Sequence, residues 1–252
     1  MNDAKSRAIE GRGDISRFVV HLTRDDSADF TNGASALENF ASIVQDRRVR
    51  AYRAHCLHAK RIPKRLRRKF AVSCFTETPL SELHLLARNI PGRRIRLSEL
   101  GLVFSREFLI ENGAQPALYI NSYGDNLWLK DAADEVCDIA EDQDFRKCKL
   151  WRLLPYLNAM HEGYDFTWER EWRVRGDLKF TPKDIVCAIL PEYDATDWKK
   201  KFLQQGIPVI SPGWSTERIV SELSGQARKA RRRWVAKRSR RQRVDKEPSS
   251  NT

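Results

Sequence analysis

The chain lacks the features that most often declare a protein's class. Its five cysteines, Cys56, Cys74, Cys137, Cys148 and Cys187, are odd in number and form no CxxC pair. A disulfide framework is therefore not expected, and reduced thiols of a cytoplasmic protein are. No apolar run approaches the length of a membrane span, and the opening MNDAKSRAIEGRGDISR has no apolar middle of a secretion signal. The expectation is a cytoplasmic chain with no membrane partner. GxxxxGK[ST], GxGxxG after a strand and GxSxG are all missing. Nucleotide binding of the first two kinds and nucleophile-elbow hydrolysis thus have no support. The segment HCLH, from His55 to His58, has no second pair at ligand spacing, so surface or packing histidines are the better reading and no metal is expected. There is no internal repeat and no long Gly/Ser linker. With 252 residues, 41% of them hydrophobic, one sizeable core in one domain is the default.

Charge of one sign is abundant. Lys and Arg total 46 against 34 Asp and Glu, a formal charge of +12. Much of the excess is local. ARKARRRWVAKRSRRQR (Ala227 to Arg243) includes Arg231, Arg232 and Arg233, and KRIPKRLRRK (Lys60 to Lys69) includes Lys64, Arg65, Arg67 and Arg68. Two such runs can neutralise phosphates and release counterions, which points to DNA or RNA as a partner. The plainer alternative is a solvated segment that only aids solubility.

RFVVHLT reads as a strand rich in β-branched residues. In SALENFASIVQDRR the apolar residues Leu37, Phe40, Ile43 and Val44 fall at helical spacing, with Ser35 as N-cap and Glu38 completing a capping box. FAVSCFTE reads as a buried strand, and LSELHLLARNI as a turn or helix ending at Pro91. LGLVFSREFLIENGAQPALYIN holds a strand, a short helix near Arg106 to Asn112, a glycine turn and a second strand. A helical region is expected from Asp131 to about Glu162. WEREWRV, DIVCAILP and IPVIS read as strands, with a helix at ATDWKKKFLQQ. Strands without a regular βαβ rhythm favour α+β over a doubly wound sheet. Residues 1–15 read as a flexible N-terminus, 16–215 as the folded domain and 216–252 as a basic C-terminal helix or tail.

The stretch DFTWEREWRVRGDL poses the functional question. On one extended strand, Glu169, Glu171 and Arg173 would share a face, opposite Trp168, Arg170, Trp172 and Val174. Neighbouring carboxylates repel, which a sequence tolerates on a solvated edge or where chemistry uses both.

HLT with ALENFASIV, then VSCFTETPLSEL, GLVFSREFLIENGAQPALYIN and EREWRV, resembles the AbiGi-type abortive phage resistance family over roughly residues 17 to 192. More distantly, it resembles the DarT-like ADP-ribosyltransferases. The resemblance implies an α+β fold with a split mixed sheet around a cleft for NAD as co-substrate. It implies that His21 contacts the nicotinamide half, with Thr23 and Asn39 in support, and that Glu171 is the catalytic glutamate at the ribose. Glu169 would orient or deprotonate the acceptor. Arg61 and Arg106 are the candidate arginines for NAD. Phe75 and Tyr119 are candidates to stack on nicotinamide, with core packing as the alternative, and Cys74 reads as an inert core thiol. The implied function is transfer of ADP-ribose to a nucleic acid or an associated protein in anti-phage defence, with an antitoxin or phage trigger protein as a possible partner. A second reading is a catalytically silent, nucleic-acid-binding or antitoxin component of an abortive infection system. A metal-dependent nuclease using Glu169 and Glu171 lacks the further carboxylate and lysine such sites draw from nearby strands.

Overall fold

A computed structural model describes residues 16–25, 33–53, 57–62, 64–90, 96–142, 149–160, 162, 167–193 and 196–225. The apolar β-branched run near the start forms β1 (Phe18–Arg24). Helix α1 (Ala36–Asp46) starts at a full capping box. The Ser35 hydroxyl accepts from the Glu38 amide, and the Glu38 carboxylate accepts from the Ser35 amide. It ends on Arg47, in the left-handed region at φ 50°. Short strands β2 (Arg48–Val49) and β3 (Tyr52–Arg53) follow, then a 3-10 turn Lys64–Phe70 and β4 (Ala71–Thr76). A 3-10 turn Leu80–Glu82 leads into α2 (Leu83–Ala87), then β5 (Leu97–Ser105), α3 (Arg106–Glu111), β6 (Gln115–Pro116) and β7 (Leu118–Asn121). Next come α4 (Trp128–Asp142), β8 (Leu157–Met160), β9 (Glu171–Arg175), β10 (Leu178–Lys179), β11 (Ile185–Ile189), α5 (Thr196–Gln204) and β12 (Val209–Ile210). A last helix, α6, covers 216–225 as far as the described residues go.

Among the described residues an eight-stranded mixed sheet runs β12-β11-β5-β1-β4-β9-β6, with β3 beside β4. The β11–β12 pair is parallel, whereas β1, β4, β5, β6 and β9 pair antiparallel. Strand alternation gives each face its own core. On one face Val19, Phe75, Phe104, Trp172 and Val174 pack with Phe40 and Ile43 of α1 and Phe202 of α5. On the other, Val20, Leu22, Val103 and Ile189 pack with Leu80, Leu83, Leu86, Trp214 and Ile219. A third cluster, Ile62, Leu66, Phe70, Val72, Cys137, Trp151 and Leu154, continues along that second side.

The centre of the sheet is unevenly stitched. β1 and β5 share six registered pairs, but β1 and β4 share one, Val20 with Thr76. Beside that lapse the His21 ring reaches across to the Cys74 carbonyl at 2.8 Å. Opposite His21 and Leu22, Gly101 of β5 permits a close approach that a side chain would block. A Cβ there would lie 2.4 Å from the His21 carbonyl oxygen.

Two expectations about elements are corrected. The helix expected to run to about Glu162 is described over Trp128–Asp142, but 149–160 forms two 3-10 turns and β8 instead. Pro155 forbids helix continuation, and LNAM pairs in parallel with β7 instead. The WEREWRV strand begins only at Glu171. Thr167–Glu169 is a 3-10 turn, and Arg170 sits at φ 44°. The α+β class and large mixed sheet stand. Residues 1–15 and 226–252, with Arg231, Arg232 and Arg233, lie outside the described residues.

Candidate functional site

A pocket of about 310 Å³ opens where β4 ends and β9 begins. The backbone builds its floor. The Glu77 amide donates to the Arg170 carbonyl at 3.1 Å, and the Ala117 amide to the Glu171 carbonyl at 2.8 Å. These bonds extend the β4–β9–β6 ladder by one step and bring Glu77, Arg170, Glu171 and Trp172 to one opening, walled by Pro116, Ala117, Tyr119 and Thr167. The volume stands at the small end of ligand pockets.

Each carboxylate in the opening has its own arginine. Glu171 accepts from Arg173 Nη2 at 2.7 Å, with side-chain exposures of 12% and 2%. Arg173 also donates from Nη1 to the Pro155 carbonyl at 2.7 Å. Burial alone works against the Arg173 charge, but the adjacent Glu171 outweighs it and the pKa stands above the ordinary arginine value. Glu77 accepts from the Trp172 indole at 2.7 Å and from Arg106 at 3.3 Å. Tyr119 stands across from Asn158 in the β7–β8 pair, with its hydroxyl buried. Burial first, then the negative charges of Glu171 and Glu169, raise its pKa above the usual phenol range. The arrangement offers two fixed carboxylates, a phenol, an indole and an arginine around one space.

The structure separates several residues that the sequence suggested together. Glu171 lines the pocket. Glu169 is not among the lining residues: its carbonyl accepts from the Thr76 hydroxyl at 2.5 Å within the 3-10 turn. The left-handed Arg170 breaks the alternation, so Glu169 and Glu171 are not same-face neighbours on a strand. His21 lies on the opposite face of the sheet from Glu171. Val20 pairs with Thr76 and Thr76 with Glu171, so those three share a face, and His21 points with Val19 and Phe75 to the other. Crowding by the surrounding chain lowers the His21 pKa, the Cys74 carbonyl bond opposes that, and Arg24 adds to it. In the neutral ring the proton sits on Nδ1, donating to the Cys74 carbonyl.

Thr23 is buried and donates to the Leu100 carbonyl at 3.1 Å, 2.9 Å from the Ser98 hydroxyl. Asn39 donates to the Arg24 carbonyl at 2.9 Å, tying α1 to the end of β1. Phe75 is a core residue between His21 and Phe104. Arg106 reaches the pocket only through Glu77. Arg61 pairs with Asp138 of α4, away from the pocket lining. Lys64 and Arg68 are exposed in the 3-10 turn Lys64–Phe70, which also carries Arg65, and Arg67 donates to the Ile62 carbonyl at 3.1 Å. Cys74 is the exposed residue of β4, on the Glu171 face. Its crowded setting, and then Glu171, push its thiol pKa well up.

Sequence reasoning missed Glu77 and Arg170 as site residues, although both lie within quoted motifs, CFTETP and EREWR. The available signal was position: each adjoins the end of a strand that opens on the pocket. His58, the described histidine of HCLH, is buried and bonds Asp134 at 2.7 Å. Among the described residues no group of three or more His, Cys, Asp or Glu is placed to hold a metal ion. No helix among them is long and apolar enough to cross a membrane.

By fold the chain is an α+β protein with a large mixed sheet, and by site one with an arginine-clamped carboxylate pocket at a sheet end. Comparison with protein-family models, curated proteins and solved structures finds no significant match.

Proposed function

We propose that the chain is an ADP-ribosyltransferase-like enzyme of anti-phage defence that uses NAD and passes ADP-ribose to a nucleic acid or a nucleic-acid-associated protein. The observation that carries this reading is Glu171, held at the pocket by the buried Arg173 guanidinium 2.7 Å away. Cleaving the ribose–nicotinamide bond sends the bonding electron pair to nicotinamide and leaves an oxocarbenium-like ribose. A fixed carboxylate at the ribose hydroxyls stabilises that positive charge without reorganising when it forms. The donor set fits such a ligand: a carboxylate for the sugar, Tyr119 and Trp172 as aromatic walls, and a cation at the rim. In this reading His21 pins β1 to β4 rather than touching the ligand. The acceptor gives up a proton as it bonds the ribose carbon, and Glu77 is the second carboxylate in reach of the opening.

A silent nucleic-acid-binding or antitoxin component is the second reading. It is favoured by the exposed Lys64, Arg68 and Lys69 and by the sheet standing between His21 and Glu171. The test follows labelled ADP-ribose from NAD into phage-infected extract, with wild type and Glu171→Gln, and then digests with nuclease or protease. The transferase reading expects label that Glu171→Gln reduces by about 10²–10³-fold, and the effective digestion names the acceptor. No label and no NAD loss, from folded protein that binds nucleic acid, would establish the silent component.

A further inference from the structure

We infer that Thr76 is a positioning residue, whose hydroxyl sets the turn that presents Glu171 to the pocket. The role rests on the reading of Glu171 as the carboxylate that works at the pocket's ligand. Thr76 itself is not among the lining residues and is 8% exposed. It ends β4 directly opposite Glu171, the first residue of β9. Its hydroxyl lies 2.5 Å from the Glu169 carbonyl. Counting protons gives that bond its direction. A carbonyl only accepts, so the single Thr76 hydroxyl proton goes to Glu169. The Thr78 hydroxyl, 2.8 Å from Thr76 Oγ1, is therefore the donor of that pair, and the Thr78 amide donates to the same oxygen at 3.2 Å. Both threonines are buried.

The bond matters because of where it falls. Arg170 stands at φ 44°, a left-handed conformation that an L-residue other than glycine, asparagine or aspartate seldom takes. The backbone dihedrals of Arg170 set the angle between the peptide planes on its two sides. The plane before it carries the Glu169 carbonyl, held by Thr76, and the plane after it carries the Arg170 carbonyl, held by the Glu77 amide at 3.1 Å. Two consecutive residues at the end of β4 thus hold both planes and fix the bend between them. That bend decides how the chain enters β9. With Arg170 extended, Glu169 and Glu171 would be same-face strand neighbours. With it left-handed, Glu171 lines the pocket and Glu169 does not. Valine at position 76 would keep the shape and strand preference of threonine but bring no proton for the carbonyl, so the extended form would regain ground. Thr78→Val removes a hydroxyl that is just as buried, yet leaves Thr76 donating to Glu169. The two substitutions separate positioning from loss of a buried hydrogen bond.

The test has two readouts on the full chain: initial rates of NAD consumption in phage-infected extract, and carbodiimide labelling of Glu171 in the purified protein, read by mass spectrometry. It compares wild type, Thr76→Val, Thr76→Ser and Thr78→Val, with the melting temperature of each recorded. Thr76→Val is expected to lower kcat about 10- to 100-fold with KM within about 2-fold, because a displaced carboxylate fails chiefly in the transition state. Glu171, 12% exposed beside Arg173, should also label faster in Thr76→Val. Thr76→Ser should restore both readouts, and Thr78→Val should leave both at wild-type values even where it lowers the melting temperature. Wild-type kcat and labelling in Thr76→Val, or equal changes in Thr76→Val and Thr78→Val, would overturn the assignment and leave the transferase reading standing. Should Thr76→Val fail to fold, Thr76→Cys takes its place. Its weak S–H donor predicts a kcat below that of Thr76→Ser, and equal values would remove Thr76 from the role. If wild type consumed no NAD, the transferase reading would fall and labelling alone would decide. Faster labelling in Thr76→Val but not in Thr78→Val sustains Thr76 as the residue that sets the turn, and equal labelling in all variants removes it.

Discussion

Glu171 and Arg173 are two residues apart on one strand and bury their opposite charges against each other. Taking either ion out of water is expensive, and the pair is tolerated because each satisfies the other and Pro155 accepts a further bond. Removing one partner exposes that cost. Arg173→Met is expected to lower stability by about 3–5 kcal/mol, because the mostly buried Glu171 carboxylate loses the partner that compensates its burial. The double variant Arg173→Met with Glu171→Gln should recover part of that loss. A urea-midpoint cycle at constant slope checks both, and additive losses would show that the two side chains act independently. His21 carries a prediction of opposite chemistry. Its folded pKa lies below the ordinary 6.5, chiefly because it is crowded away from solvent. Below 6.5 the unfolded chain therefore binds the proton more readily than the folded one. The stability that His21 contributes is full above 6.5 and drains as pH falls toward its folded value. Melting temperature should drop more between pH 7.5 and 5.5 for wild type than for His21→Gln, whose amide can still donate to Cys74. Parallel pH profiles would remove His21 from the account.

The elements themselves are joined by a few tight contacts, of which Gly101 is the clearest. Its position opposite Leu22 brings β5 so near β1 that an added methyl group would meet backbone, the His21 carbonyl oxygen at 2.4 Å, as well as the Leu22 side chain at 2.8 Å. A flexible side chain can turn aside, but a strand carbonyl inside a six-pair ladder cannot. Gly101→Ala is expected to cost about 1–3 kcal/mol, measured as a denaturant midpoint. Shortening Leu22 to Ala as well should not restore it. This contact was invisible in the sequence, where GLVF reads as one more apolar strand. What could be read was local. Ser35 and Glu38 carry the whole capping box within four residues, so helix α1 was placed correctly from its start. The strands at FVVHLT, AVSCFT and IVCAI follow from short-range composition. The helix expected through Glu162 failed because tertiary pairing with β7, aided by Pro155, outweighs the local pattern of 149–160. For the site, Glu171 was legible as a carboxylate on a late strand. Its separation from His21 was not, since a side chain's face depends on the registers Val20–Thr76 and Thr76–Glu171, and a one-residue shift would reverse it.

For the molecule as a whole, the charge of +12 asks where a polyanion would lie. Leu66 and Phe70 of the 3-10 turn Lys64–Phe70 are both buried in the cluster beside the sheet, each 7% exposed. Anchoring those two leaves Lys64, Arg68 and Lys69 exposed on a structured element rather than on a tail. Phosphate contacts made by such residues release counterions, so log K should fall linearly with log salt, by about 0.9 per phosphate contact on duplex DNA. Replacing Lys64, Arg68 and Lys69 by Ala should therefore flatten the slope by about 2 to 3 while leaving the melting temperature unchanged, because none of the three is buried. Measuring Kd for one duplex at several salt concentrations decides the matter. A slope that stays put would assign the binding to the basic run from Ala227 to Arg243. A slope that flattens would set the nucleic acid against the turn that leads into β4, the strand whose far end opens on the Glu77 and Glu171 pocket. In that geometry a polymer held by its phosphates at one end of β4 lies within one strand's length of the carboxylates at the other. Under the proposed transferase reading, a single fold would then hold its acceptor at one end of the strand that carries the pocket at the other.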